Sequence, residues 1–242
     1  ASTGFNIISI DHTYDANIVE FPDGTLIPGQ NLTTDQFFAE LPELLEVRLA
    51  DVSTVLDALA NATNTKSLGL PTLRTDRVGI FGHSLGGTTV ADAMLVESRI
   101  AGGISMEGGA YQNATKHDNT LPFLIFNAEG HNQTSDSTLE QLWSHLKGTK
   151  LQLEVNHTGH GAFADFPIVA KSIGFEVNTV PLAQEYVGTI DGSRMLTILR
   201  SYVSGFFQKV LEGKQVELLE GPSPDFPEVV FANMSTASQA CL

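Results

Sequence analysis

The chain has few thiols, few indoles and little positive charge. One of its 242 residues is cysteine and one is tryptophan, and 13 lysines and arginines face 28 aspartates and glutamates, leaving a formal net charge of -15. That excess excludes functions that rest on neutralising phosphate, because nucleic acid and anionic membrane surfaces both repel it. A neutral or cationic substrate fits better. No run of about 18 apolar residues is present, which excludes a membrane-spanning helix. A lone cysteine, Cys241, excludes a disulfide framework within the chain. At 42% hydrophobic residues, the chain can bury one sizeable core, and its length fits a single α/β domain over residues 1–242.

Six Asn-x-Ser/Thr sequons, at Asn31, Asn61, Asn113, Asn132, Asn156 and Asn233, point to glycosylation during secretion and so to an extracellular protein. No signal peptide stands at Ala1, so the sequence reads as mature or processed material.

Apolar runs alternate with helical periodicity. Phe5 to Ile10 reads as a strand, Phe21-Pro22-Asp23-Gly24 as a loop, and Thr34 to Ala60 as a helix capped at Thr34, with Leu45, Leu49, Val52, Leu56 and Leu59 at helical spacing. Strands are expected at Arg77–Phe81, Ile100–Met106, Leu121–Phe126 and Leu151–Val155. Helices are expected at Thr88–Val96, Ser137–Lys147 and Arg194–Leu211, with an irregular Pro-rich tail from Gly221. Near-continuous apolar strands separated by helices mean a parallel sheet covered on both faces.

Between one such strand and its helix lies Gly82-His83-Ser84-Leu85-Gly86-Gly87, which matches the G-x-S-x-G nucleophile elbow. A turn this tight leaves the serine strained and exposed. A Cβ at Gly82 or Gly86 is expected to collide with neighbouring backbone. Ser84 is the candidate nucleophile.

On three stretches the sequence resembles the α/β-hydrolase fold, and within it the platelet-activating-factor acetylhydrolase-like esterases in a secreted, fungal version. They are Ser9-Ile10-Asp11-His12, Gly82 to Gly87, and His160-Gly161-Ala162-Phe163-Ala164-Asp165-Phe166. The resemblance implies His160 as catalytic base. It also implies Glu107, ending Gly103-Ile104-Ser105-Met106-Glu107, as the acid, although aspartate is more usual there. The Leu85 backbone N–H is implied as one oxyanion donor. The chemistry requires these residue types: a hydroxyl is a weak nucleophile until an imidazole takes its proton, and a carboxylate behind the imidazole sets its tautomer. Chain order Ser, acid, His agrees with the fold.

Alternatives stand beside each role. His157 is a second candidate base, and Glu129 and Asp136, after the next strand, are candidate acids. His83 reads as packing, and His117, His131 and His145 as surface residues. The His157-Thr158-Gly159-His160 spacing lacks a third ligand cluster, so neither a metal nor another cofactor is expected. Asp11 and Asp165 read as local anchors, and Trp143 and the late helix as core.

In the strand order implied by the resemblance, Phe5–Ile10 is the fourth strand, so the first three are missing and a slot beside the elbow strand stands open. A second polypeptide from the same precursor is expected to fill it, supplying an oxyanion loop and tied through an interchain disulfide at Cys241. Two function classes follow. One is a secreted serine carboxylic-ester hydrolase or lipase with an acyl-enzyme intermediate, similar to 1-alkyl-2-acetylglycerophosphocholine esterases; the other is an inactive binding relative with the same fold.

Overall fold

The computed structural model describes residues 4–235, and its contacts divide the chain into two compact units, one ending at Thr75 and the other starting at Asp76. Cys241 lies outside the described residues.

The first unit is built on a long helix. β1 (Ile18–Glu20) and β2 (Leu26–Pro28) form an antiparallel hairpin around the loop read from Phe21 to Gly24. Gly24 takes φ 84, and the Asp23 carboxylate accepts from Thr25 N–H at 2.9 Å, a side-chain turn that short polar residues favour. α1 (Thr34–Ala60) spans the range expected, but its cap is Thr33 and not Thr34. Thr33 Oγ1 accepts from Gln36 N–H while the Gln36 side chain accepts from Thr33 N–H, a reciprocal capping box that satisfies two end donors. Leu41, Leu45 and Val52 make its buried stripe. α2 (Ala62–Ser67) follows, capped by Asn61.

Phe5 to Ile10 carry no strand, which corrects the sequence reading. Ile7 is 59% and Ile8 48% exposed. A β-strand exists through its ladder, and apolar pattern alone does not form one without a partner.

The second unit runs through strands and helices in the order β3 (Val78–His83), α3 (Leu85–Val96), β4 (Ile100–Met106), β5 (Phe123–Ala128), α4 (Ser137–His145), β6 (Lys150–Val155), α5 (Phe166–Ser172), α6 (Pro181–Val187), α7 (Gly192–Glu212) and β7 (Val229–Ser235). The sheet order is β3-β4-β5-β6-β7. The first three pairings are parallel, and β7 runs antiparallel to β6. β7 corrects the irregular tail: its residues complete a ladder on β6 despite the prolines before it.

Two adjacent glycines of β4 show that helices cover both faces. A Cβ on Gly102 would meet Val210 of α7 at 2.9 Å, and one on Gly103 would meet Met94 and Val90 of α3 at 2.4 and 2.6 Å. Successive strand residues point to opposite faces, so α3 and α7 lie on opposite sides. β5 is buried throughout, Phe123 to Ala128, as a central parallel strand should be. Met195, Ile198, Tyr202 and Phe206 of α7 complete the core. Trp143 is only half-buried, with Lys150 Nζ 4.4 Å from its ring centre.

β3, the strand that feeds the elbow, stands at one end of the sheet order. Among the described residues, the slot expected between two strands is therefore the outer edge of the sheet.

Candidate active site

The site gathers at the carboxyl ends of β3, β4 and β5, where loops of a parallel sheet converge. Ser84 sits between β3 and α3 with φ 57 and ψ -122. For a non-glycine residue this costs on the order of 1–3 kcal/mol and persists only where the surroundings enforce it. They do so here through backbone bonds: Ser84 N–H donates to Met106 O at 2.9 Å, and Ser84 O accepts from Gly87 and Thr88 N–H. A Cβ on Gly82 would lie 2.4 Å from the Gly86 backbone, as expected. Gly86 itself has open space around its Cβ position. The second tight glycine is Gly87, where a Cβ would approach Ser105 Oγ at 2.5 Å and Gly108 Cα at 3.1 Å. Leu85 opens α3, so its N–H belongs to the first-turn donors that have no partner inside the helix.

Glu107 follows β4 with φ 53, is 7% exposed, and is the hub of the polar network. Its Oε2 lies 3.2 Å from His160 Nδ1, while Oε1 accepts from Ala128 N–H at 2.6 Å and faces His131 Nδ1 at 2.9 Å. Burial works against its ionisation, yet the bonds from His131 and His160 hold the carboxyl down at about 2. The Asn127 side chain fixes both ends of this arrangement. Its Oδ1 accepts from Glu107 N–H at 3.1 Å, and its Nδ2 donates to His131 O at 2.9 Å.

His160 lies in a 3-10 turn over His160–Phe163, pressed against α6. Gly159 N–H donates to Val187 O, and a Cβ on Gly159 would sit 2.6 Å from Glu185 O. Gly161 leaves room for the Tyr186 ring, which a Cβ there would meet at 2.4 Å. His83, the neighbour of Ser84, donates through Nε2 to His160 O at 2.9 Å, and the two rings lie 4.6 Å apart. Burial pushes His83 below the usual imidazole range, so it serves as a neutral donor. That contact ties the elbow to the histidine turn.

The structure therefore brings Glu107 and His160 together beside the Ser84 elbow and separates the alternatives. His157 is exposed at φ 65, with its backbone N–H donating to Glu129 Oε2 at 2.7 Å. Asp136 caps α4 and lies 3.2 Å from His131 Nε2. His117 is exposed, and His145 pairs with Asp118 at 2.8 Å. Asp165 makes no side-chain cap to α5. His131 is the residue that sequence reasoning missed. The available signal was its place in Glu129-Gly130-His131, directly after the strand next to β4. Among the described residues, no group of three His, Cys, Asp or Glu side chains is arranged to hold a metal ion, and no helix is long and apolar enough to cross a membrane.

Of the sequons, Asn31, Asn61, Asn113 and Asn233 are exposed, whereas Asn132 and Asn156 are half-buried. Asn132 Nδ2 donates to Glu154 at 3.0 Å.

Similarity to known proteins agrees with this fold. A protein of Arthroderma benhamiae described as "Probable 1-alkyl-2-acetylglycerophosphocholine esterase" is 34% identical over an alignment of 242 positions, covering 96% of this chain and 60% of that protein. A ferulic acid esterase from Streptomyces cinnamoneus superposes with a TM-score of 0.81 at 29% identity, over 92% of this chain and 64% of that one. The chain thus spans somewhat less than two thirds of the length of these relatives. Residues 40–217 match the family model "Platelet-activating factor acetylhydrolase, isoform II", and the chain belongs to that family.

Proposed function

We propose that the protein is a secreted serine carboxylic-ester hydrolase that works through an acyl-enzyme on ester or lipid substrates of the 2-acetylglycerophosphocholine kind. The observation that carries this reading is the His160–Glu107 contact beside a serine held at φ 57. In the mechanism, Ser84 Oγ attacks the ester carbonyl as His160 Nε2 takes its proton. Glu107 fixes the Nδ1–H tautomer and stabilises the imidazolium. The Leu85 N–H, at the positive end of α3, donates to the oxyanion. His160 then returns the proton to the leaving alkoxide, and water repeats the sequence to release the acid.

A fluorophosphonate probe tests this directly, because only an activated serine reacts. Stoichiometric labelling at Ser84 together with turnover of a p-nitrophenyl ester is expected. Absence of both would favour the reading as an inactive binding relative.

A second polypeptide pairing with the edge of β3 is part of the same proposal, supported by the place of β3 at the end of the sheet order among the described residues. An edge strand presents a row of backbone donors and acceptors to any chain that can extend it. Non-reducing electrophoresis should show a second chain released from Cys241 by reductant. A free Cys241 thiol would remove the covalent tie. Secretion is supported by the sequons, with Asn31, Asn61, Asn113 and Asn233 the accessible acceptors.

A further inference from the structure

The His131 ring lies between two carboxylates that come from different parts of the fold. Nδ1 faces Glu107 Oε1 at 2.9 Å, and Nε2 faces Asp136 Oδ2 at 3.2 Å. A neutral imidazole has one N–H, so one of its nitrogens would turn a lone pair toward a carboxylate. Only the imidazolium satisfies both contacts. Asp136 is held in turn by Thr138 N–H at 2.8 Å, and Thr138 Oγ1 accepts from Ala110 N–H at 3.1 Å, which ties this second carboxylate to the loop that follows Glu107.

We propose that His131 is a positioning residue for the catalytic base, an imidazolium clamped between Glu107 and Asp136 that holds the Glu107 carboxylate toward His160 and sets the pH window in which His160 works. The proposal deepens the esterase reading and rests on it.

Two consequences follow from the charge. Glu107 accepts from both imidazoles, one on each oxygen, so the positive charge of His131 opposes protonation of His160 across a shared carboxylate only 7% exposed. His131 also keeps its own proton well into the alkaline range: the bond to Glu107 raises it most, burial opposes, and Asp136 adds, placing it at about 9. The neighbouring ionisable groups are otherwise engaged or uncharged. Glu154 accepts from Gly130 N–H and Asn132, Glu129 from His157 N–H, and burial keeps the Tyr111 phenol protonated.

The test is a pH profile of kcat/KM for p-nitrophenyl acetate. In the wild-type protein the rate should fall as His131 deprotonates around pH 9. In His131→Gln that alkaline fall should vanish, the rate at pH 7.5 should drop about 10- to 100-fold, the scale of losing an outer group that holds a site's direct partners in place, and the acid limb should move to higher pH. Asp136→Asn keeps a good helix cap but removes one carboxylate, so its alkaline limb should move to lower pH. A merely structural role would lower all rates and leave these limbs in place, which overturns the proposal. Imidazole 15N NMR in Ser84→Ala gives an answer without turnover. Both His131 nitrogens should carry hydrogens at pH 8, and a neutral ring there overturns the proposal even if the protein is an esterase. If labelling and turnover are both absent while the ring is doubly protonated, the esterase reading fails and the clamp stands as a bound charge without a catalytic role, which also overturns the proposal as stated.

Discussion

Ser84→Ala is expected to abolish ester hydrolysis, costing at least about 10³-fold in kcat and leaving the fold intact. The fold should survive because the bonds that enforce the elbow run through backbone atoms: Ser84 N–H to Met106 O, and Gly87 and Thr88 N–H to Ser84 O. Alanine takes the same φ near 57 with a strain similar to that of serine. The hydroxyl alone is removed. Turnover of a p-nitrophenyl ester at the wild-type rate would place the nucleophile elsewhere. An unchanged Tm alongside lost turnover separates chemistry from folding, which the equally tight Gly82 cannot do: a Cβ there meets the Gly86 backbone at 2.4 Å and would displace the elbow itself.

Glu107→Gln is expected to cost about 10⁴-fold in kcat, the scale seen when a buried carboxylate that sets the tautomer of a catalytic histidine becomes an amide. An amide oxygen can keep the bond from Ala128 N–H, but its NH₂ then faces His160 Nδ1. The ring must accept there and carry its hydrogen on Nε2, where the serine proton has to go. The same substitution strips the His131 imidazolium of one of its two carboxylates. Glu129→Gln should do little, since Glu129 caps the exposed His157 backbone. Asp136→Asn should fall between, acting only through His131. This differs from a simple alternative-acid reading, in which Asp136 would rank first. Measuring kcat for the three variants decides the ranking, and a larger loss in Glu129→Gln than in Glu107→Gln would overturn the assignment. Combining Glu107→Gln with Ser84→Ala should add almost nothing to the loss from Ser84→Ala alone, because residues that act as a unit are not additive.

The elbow and the parallel sheet were legible in the sequence because they are local. Gly82 to Gly87 carries its turn geometry in its own glycines, and Ile100–Met106 and Thr34–Ala60 carry apolar periods that specify strand and helix without reference to distant residues. Glu107 and His160 were legible through resemblance, which places them by chain position. Three features depended on tertiary context. Phe5–Ile10 has the pattern of a strand and forms none, while Val229–Ser235 lies in a segment read as irregular and forms one, since each outcome is decided by whether a ladder partner is present. The place of β3 at the end of the sheet is a property of sheet order, which no single strand encodes. His131 read as a surface residue because nothing in its local sequence shows the carboxylate 24 residues upstream, brought to 2.9 Å by the parallel pairing of β4 with β5. Local pattern selects the elements, but long-range pairing decides which side chains meet, and a buried charge network is built from such meetings.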